Sequence, residues 1–284
     1  MKLGMIGMGV MGLPIAENLV KKSGLQVLGY DVEVDRRMRF AQCKGMPVLH
    51  PEEVYENCGI VFFSLPNNKL VDACLGEALV HCQDGAILVD LSSSYPSVIK
   101  AHEESAIAAG AGLVDCPVSG GESAATAGTL SAMCGGAAEH VEAVRPYLRM
   151  FSGKVTHMGA LGSGYAAKLI NNMIIGAEIA AVAEAFACAQ RAGLDGKLLF
   201  EAIRDGGAGS CVLEVKGPKM LDHDYSASSR LSIHLKDQKN ALLLAGDIGA
   251  RTPMLEQATR LMEQMEQAGR GAEDVAALID LFLP

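Results

Sequence analysis

Residues 1–31 read MKLGMIGMGVMGLPIAENLVKKSGLQVLGYD, and this stretch decides the fold. The apolar run Lys2–Ile6 leads into the pattern Gly7-Met-Gly-Val-Met-Gly12, and helix-forming residues follow to about Val20. A second apolar run, Gln26–Tyr30, ends at Asp31. The order strand, glycine-rich turn, helix, strand predicts the opening βαβ unit of a parallel α/β sheet.

The three glycines of the turn each answer a different steric demand. Gly7 permits the tight turn, Gly9 lets a pyrophosphate approach the backbone, and Gly12 lets the helix pack closely on the strand. Free N–H groups at the start of a helix bind phosphate oxygens. We therefore expect a dinucleotide to contact the whole turn, which consists of Gly7, Met8, Gly9, Val10, Met11 and Gly12.

Asp31 lies 19 residues after Gly12, where an acidic side chain accepts hydrogen bonds from the hydroxyls of the adenosine ribose. A 2′-phosphate at this place would be repelled by the carboxylate, so the sequence favours NAD over NADP. Arg36 and Arg37 are close enough in sequence to reach a phosphate, which keeps NADP as the alternative. Asp31 has a structural alternative too, as a helix cap or turn residue.

The first half of the chain continues the alternation of strands and helical segments. This texture predicts a doubly wound parallel sheet of the Rossmann type over residues 1–160. The predicted strands are Lys2–Ile6, Gln26–Tyr30, Ile60–Ser64, Ala86–Asp90, Gly112–Asp115, Leu130–Cys134 and Lys154–Met158.

After residue 160 the composition shifts to Ala, Leu, Met, Glu and Lys, and no strong strand signal remains. Tyr165–Ala192 has no proline and one glycine, which predicts a helix about 42 Å long. We predict an all-α second domain over residues 161–284, joined to the first by this helix. Its further predicted helices are Gly196–Arg204, Leu231–Asp247, Pro253–Ala268 and Ala272–Phe282.

Composition and charge exclude several classes of protein. Half of the 284 residues are hydrophobic, and the formal net charge is −9 with no basic stripe, so we expect no nucleic-acid partner. The apolar run 3–16 is too short for a membrane span and has no signal-peptide cleavage site, so we expect a cytoplasmic protein without a membrane partner. The seven histidines are scattered singly, and we expect no metal.

Four blocks of sequence resemble the β-hydroxyacid dehydrogenase family, in the family's order and over nearly the whole chain. They are Gly7-Met-Gly-Val-Met-Gly-x-Pro-x-Ala16; Asp115-Cys-Pro-Val-Ser-Gly-Gly121, running on into Gly128–Gly136; Gly162-Ser-Gly-Tyr-Ala-Ala-Lys168-Leu-Ile-Asn-Asn172; and Lys236-Asp237. The family includes 3-hydroxyisobutyrate dehydrogenase and tartronate semialdehyde reductase. Its members oxidise small 3-hydroxy acids, or reduce the corresponding semialdehydes, with a nicotinamide cofactor.

The resemblance implies that Lys168 is the general acid and base of the reaction. Reducing a carbonyl leaves negative charge on oxygen, and a donor must neutralise it. Asn172 is four residues further on, so both side chains share one helix face, where Asn172 would orient Lys168 or the substrate oxygen. Without the resemblance, a solvated lysine on an amphipathic helix is the simpler interpretation of Lys168.

Other site residues are implied in the same way. Ser119, Gly120 and Gly121 follow a strand, and their backbone N–H groups would hold the substrate carboxylate. The cofactor contacts would be completed by Leu65, Pro66, Ser93 and Lys236, and Ser210 would touch the substrate.

We therefore predict an NAD-dependent 3-hydroxyacid dehydrogenase or semialdehyde reductase, assembled as a homodimer or homotetramer. The Gly206–Leu213 stretch is most similar to the tartronate semialdehyde reductase branch. The alternatives are 3-hydroxyisobutyrate dehydrogenase and a relative that binds NAD without turnover. A 6-phosphogluconate dehydrogenase would need a longer helical tail and a basic phosphate pocket, and the sequence has neither.

Overall fold

The computed structural model describes residues 1–283, which form two compact units divided after Lys168. The first unit comprises residues 1–168, and the second begins at Leu169. The domain boundary predicted after residue 160 falls in the turn before a long helix, whereas the division by contacts falls inside that helix.

The first unit contains the nine strands found among the described residues, in one sheet. The strands are β1 (Leu3–Ile6), β2 (Val27–Tyr30), β3 (Met46–Pro47), β4 (Ile60–Phe63), β5 (Ile87–Asp90), β6 (Gly112–Asp115), β7 (Val118–Ser119), β8 (Leu130–Gly136) and β9 (Ser152–Gly159). Their order is β3-β2-β1-β4-β5-β6-β8-β7, and β9 pairs with β8.

The first six strands in sequence are all parallel, and the direction of winding reverses between β1 and β4. The prediction of a Rossmann-type sheet is confirmed. The sheet is mixed at its far end, however, because β8 runs antiparallel to β6 and β7. Ligands of such folds bind at the carboxyl ends of the strands, at the reversal point.

The helices of the first unit cover both faces of the sheet. They are α1 (Gly12–Ser23), α2 (Val34–Gln42), α3 (Glu52–Asn57), α4 (Asn68–His81), α5 (Pro96–Lys100), α6 (Glu103–Ala108), α7 (Gly121–Ala127) and α8 (Ala138–Leu148). Residues of the central strands alternate between two buried clusters. In β4, Val61 and Phe63 join one cluster, and Phe62 joins the other. This period of two is the signature of a sheet that is buried on both sides.

Helix α9 (Ser163–Arg191) begins in the first unit and continues into the second. Its length and mean hydropathy of 1.5 would suffice to cross a membrane. The core helices of soluble proteins meet the same criterion, so this is weak evidence for a membrane span.

The described part of the second unit is helical, as predicted. It contains α10 (Gly196–Ile203), α11 (Cys211–Leu221), α12 (Leu231–Asp247), α13 (Pro253–Gln267) and a 3-10 helix (Val275–Leu281). Its core combines apolar side chains from α9 and from all of these elements, such as Phe186 of α9, Phe200, Leu235 and Met262.

Candidate active site

The glycine turn has the sterics that the sequence predicts. Gly7 has φ +85°, and a Cβ there would overlap the Ser64 carbonyl oxygen. A Cβ on Gly12 would overlap the Gly7 carbonyl oxygen and lie 2.9 Å from the Met5 side chain. At Gly9 the nearest atom to such a Cβ is Arg36 Nη1 at 3.8 Å. The turn is therefore tight at Gly7 and Gly12 and open at Gly9, and this fits a pyrophosphate that approaches the backbone.

Asp31 is the buried carboxylate beside this turn, with 4% relative exposure. Its Oδ2 accepts a hydrogen bond from the Met8 N–H at 2.6 Å, and its Oδ1 accepts one from the Glu33 N–H at 2.9 Å. Asp31 thus ties the end of β2 to the glycine turn and also shapes its own turn. Asp31 is therefore a turn residue, as the structural alternative predicted, and its carboxylate also lies next to the glycine turn.

The two arginines that follow are engaged locally. Arg36 Nη1 lies 3.3 Å from Asp31 Oδ2, and its side chain is 46% exposed. Arg37 Nη1 donates to the Asp31 carbonyl oxygen at 2.5 Å, and its guanidinium lies 5.6 Å from the centroid of the Tyr30 ring. Both arginine side chains therefore contact Asp31.

The carboxyl ends of β4 and β5 are joined by a hydrogen-bond chain. The Leu65 N–H donates to Ser92 Oγ at 2.8 Å, and Ser92 Oγ donates to Asp90 Oδ1 at 2.6 Å. Pro66 is exposed and Ser93 is half-buried, so the predicted cofactor contacts lie at the open end of the sheet.

Ser119 ends β7, and the two glycines after it adopt positive φ angles of +132° (Gly120) and +71° (Gly121). A Cβ on Gly121 would meet nothing within 4 Å, so its backbone is open to a ligand. The conformation is one that L side chains rarely adopt. The anion-binding role of these residues remains a prediction.

Lys168 is buried on α9, with 8% relative exposure, and this excludes the interpretation as a solvated surface lysine. The first turn of its helix is bound by Asp115 at the end of β6, whose carboxylate accepts from the N–H groups of Gly162 and Tyr165 at 2.7 and 2.8 Å. The Tyr165 hydroxyl donates to Asp90. Sequence reasoning did not assign Asp115 or Asp90 to the site.

Asn172 lies one helical turn after Lys168, at the start of the second unit. Its Nδ2 donates to Asp237 Oδ2 at 2.7 Å, and Lys236 Nζ lies 3.2 Å from Asp237 Oδ1. The amide of Gln238 donates to the Asn172 carbonyl oxygen at 2.6 Å. The structure therefore brings Asn172 and Lys236 together through Asp237, a link that the sequence did not indicate.

Ser210 occupies a different position, at the start of α11. Its Oγ accepts a hydrogen bond from the Leu213 N–H at 3.0 Å, as a helix cap does. Substrate contact by Ser210 remains a prediction. No group of three or more His, Cys, Asp or Glu side chains within residues 1–283 is arranged to hold a metal.

Comparison with known proteins places both halves of the chain. Residues 2–159 match the NAD binding domain of 6-phosphogluconate dehydrogenase. Residues 162–282 match the family described as NAD-binding of NADP-dependent 3-hydroxyisobutyrate dehydrogenase.

Similar whole proteins have several activities. The chain is 32% identical to the 2-(hydroxymethyl)glutarate dehydrogenase of Eubacterium barkeri, covering 99% of this chain and 94% of that relative. It is 31% identical to the 2-hydroxy-3-oxopropionate reductase of Escherichia coli, covering 98% of this chain and 96% of that relative.

The fold is also that of solved relatives. Mycobacterium tuberculosis 3-hydroxyisobutyrate dehydrogenase with L-serine superimposes with a TM-score of 0.91 at 27% identity, covering 99% of this chain and 98% of that one. Psf3 in complex with NADP+ and 2-OPP shares the fold, with a TM-score of 0.87 at 23% identity, covering 98% of this chain and 99% of that one. Sequence blocks, family matches and fold agree, and the chain belongs to the β-hydroxyacid dehydrogenase family of NAD(P)-binding oxidoreductases.

Proposed function

We propose that this enzyme transfers a hydride between NAD(H) and a small 3-hydroxy acid or the corresponding semialdehyde, with tartronate semialdehyde (2-hydroxy-3-oxopropionate) as its preferred substrate. The observation that carries the proposal is Lys168, a buried ammonium group on a helix that is bound to the same sheet as the glycine turn. Similarity to the Escherichia coli reductase supports the choice of substrate.

The cofactor would be held by the glycine turn, by Asp31 and by the ends of β4 and β5, and it supplies or accepts the hydride when bound. The open backbone face at Gly9 fits its phosphates. Asp31 offers a carboxylate to ribose hydroxyls, and its charge disfavours a 2′-phosphate, so we propose NAD rather than NADP. Lys236 would complete the cofactor contacts, as the family resemblance implies.

Lys168 would act at the substrate oxygen. In reduction its ammonium group donates a proton to the carbonyl oxygen as negative charge develops there, and in oxidation the neutral amine removes the hydroxyl proton. Asn172 would orient this oxygen or Lys168 itself. Its side chain is held by Asp237, so it is fixed before a substrate arrives.

The substrate carboxylate would bind at Ser119, Gly120 and Gly121. A net charge of −9 does not attract an anion to the molecule, so a local site must supply the attraction. Backbone N–H groups with positive-φ glycines are suited to this, because they offer partial positive charge without a bulky side chain. Ser210 would make a further contact with the substrate.

We also propose a homodimer or homotetramer in the cytoplasm. The second unit exposes an apolar patch, formed by Ile170, Met173, Ile174 and Ala177 of α9 and Met254 of α13. An exposed apolar patch of this kind suits contact with a second copy of the chain. The apolar run 3–16 contributes β1 to the sheet and contains the start of helix α1.

The test is steady-state kinetics with NADH and NADPH side by side. The panel contains tartronate semialdehyde, methylmalonate semialdehyde (the oxidised form of 3-hydroxyisobutyrate), succinic semialdehyde and glyoxylate. In the oxidative direction it contains L-threonate and 2-(hydroxymethyl)glutarate, with NAD+ and NADP+ as the cofactors. We expect the highest kcat/KM with tartronate semialdehyde and NADH.

Two other results would contradict parts of this proposal. A highest kcat/KM with methylmalonate semialdehyde would make the chain a 3-hydroxyisobutyrate dehydrogenase and overturn the substrate choice. Tight NADH binding, measured by fluorescence, without turnover of any compound would favour the relative that binds NAD without catalysis.

A further inference from the structure

We propose that Asp115 is a positioning residue for Lys168: its buried carboxylate holds the first turn of α9 against the end of β6 and so fixes where the ammonium group stands. The inference rests on the proposed function, because it takes Lys168 to be the proton-transfer group. Asp115 itself is placed in contact with the helix backbone, not with the substrate.

The carboxylate is shared between two amides of one turn. Oδ1 of Asp115 accepts from the Gly162 N–H at 2.7 Å, and Oδ2 accepts from the Tyr165 N–H at 2.8 Å. These donors belong to the start of α9, where backbone N–H groups have no partner inside the helix. Each oxygen thus has its own bond, and the turn cannot rotate about β6 without breaking one of them.

A second carboxylate holds the same turn from the neighbouring strand. The Tyr165 hydroxyl donates to Asp90 Oδ2, while Asp90 Oδ1 accepts from the hydroxyl and N–H of Ser92. Tyr165 is therefore fixed through its backbone by β6 and through its side chain by β5. Two attachments in different directions define a position better than either does alone.

The packing around this turn is close. A Cβ on Gly164 would lie 2.6 Å from the Asp115 carbonyl oxygen and would overlap the Met133 carbonyl oxygen. Only glycine lets the helix start this near to the sheet. Lys168 follows Tyr165 by three residues, which is about 4.5 Å along the helix axis, so a shift of the first turn moves Lys168 with it.

Burial disfavours the charged form of the Asp115 carboxyl group. Burial raises the pKa of Asp115 to about 6, although the bonds from Gly162 and Tyr165 lower it, and the nearby Asp90 adds to the rise. The titratable groups around it are Asp90 on β5, Tyr165 on α9 and the Cys116 thiol, whose own pKa is raised. A charge kept at such a place is typical of functional sites.

The experiment compares three variants of the full chain with wild type. Asp115→Asn keeps the shape but turns one acceptor into a donor that faces an N–H group. Tyr165→Phe removes the hydroxyl that bonds to Asp90 and Ser94 and leaves both bonds of the Asp115 carboxylate in place. Asp195→Asn is the matched control, because Asp195 accepts from the Lys197 and Leu198 N–H groups at the start of α10, a different helix in the second unit.

We expect Asp115→Asn to lower kcat by about 10²-fold, the usual effect of a displacement of about 1 Å, with little change in KM or in the Kd for NADH. Tyr165→Phe should lower kcat less, with the same unchanged KM. The amides of residues 163–168 should exchange hydrogen faster in both variants but not in Asp195→Asn. This readout needs no turnover.

The pH profile adds a signature that a passive structural role would not produce. In wild type, kcat should fall as the pH drops through about 6, because protonated Asp115 loses an acceptor for the helix amides. Asp195→Asn should keep this acid limb, and Asp115→Asn should lack it.

Near-normal kcat in Asp115→Asn with an intact acid limb would overturn the inference, as would equal losses in Asp195→Asn. If Asp115→Asn does not fold, the wild-type pH profile decides, and a kcat that stays level as the pH drops through about 6 would overturn the inference. Absence of turnover in wild type would instead sink the proposed function, while the exchange data would still report whether Asp115 fixes the turn.

Discussion

Lys168 is the proposed proton-transfer residue, and it is one of the two lysines within residues 1–283 whose side chains are buried. Lys216 is buried too, but it pairs with Asp274 at 2.8 Å and serves the core of the second unit. Lys168 instead follows the turn that two strand-end carboxylates hold. Position within a network, rather than burial alone, supports the proposal that Lys168 is the reacting group.

Lys168→Ala should lower kcat by about 10²–10⁴-fold, the usual contribution of general acid–base catalysis, while the Kd for NADH barely changes. Steady-state kinetics and fluorescence titration measure the two quantities. Lys197→Ala, which removes an exposed lysine on α10, is the control and should behave as wild type. Near-normal turnover in Lys168→Ala would exclude this residue from proton transfer.

Asp31 should set the choice of cofactor. Asp31→Asn keeps an acceptor for the Met8 N–H but removes the charge that repels a 2′-phosphate, and it releases Arg36 from its ion pair. We expect kcat/KM for NADPH relative to NADH to rise by about tenfold, equivalent to about 1.4 kcal/mol.

The kinetic ratio with the two cofactors measures this effect. Asp35→Asn, on the exposed face of α2, is the charge-matched control and should leave the ratio unaltered. An unaltered ratio in Asp31→Asn as well would show that cofactor choice lies elsewhere.

At the residue scale, the sequence led to Lys168 and Asn172 through motif resemblance, but it did not lead to their supports. Asp115 and Asp237 belong to two other blocks of sequence that resemble the family. Their roles depend on bonds across 47 and 65 residues of chain, and no local pattern reveals such contacts. A carboxylate at the end of a buried strand was the one available hint for Asp115.

At the scale of the element, the geometry of the glycine turn can be tested by single substitutions. Gly12→Ala should lower the free energy of unfolding by about 1–3 kcal/mol, because the new methyl group overlaps the Gly7 carbonyl oxygen. Gly9→Ala should fold almost normally, since only Arg36 lies nearby, but should bind NADH more weakly.

Urea unfolding and fluorescence titration separate the two effects, and each variant is the other's control. The opposite pattern, with Gly9→Ala unstable and Gly12→Ala tolerated, would contradict the packing described for this turn.

Long segments without proline could be predicted, and short or proline-interrupted ones could not. Helix α12 has the predicted bounds, Leu231–Asp247. Strands β3 and β7 are only two residues long, so they show no alternation to detect. Helix α11 was missed because it contains Gly217 and Pro218, and the segment predicted as the helix Ala272–Phe282 forms the shorter 3-10 helix.

At the scale of the whole molecule, composition and alternation were sufficient for the fold class, since a parallel sheet buried on both faces leaves an apolar run in each of its central strands. Substrate identity was not accessible in the same way. Relatives at about the same identity act on different hydroxy acids, and one methyl or hydroxyl group changes binding by only a few kcal/mol.

The proposed assembly makes a prediction at this scale. Ile174 is 58% exposed in the α9 patch, and Ile174→Glu should lower the molar mass in solution, measured by light scattering, because a charge would be buried between copies. Val80→Glu is the control, since Val80 is 78% exposed on α4 in the other unit. A wild-type monomer would contradict the proposed assembly.

Helix α9 has a further consequence for how such enzymes diversify. The lysine sits in its opening turns, anchored to the strands beside the glycine turn, whereas most of the helix belongs to the second unit. Under the proposed function, mutations that remodel the helical unit can therefore alter which molecules are accepted without disturbing Lys168 as the proton donor. Enzymes with this arrangement can change substrate in evolution while keeping the same hydride-transfer reaction.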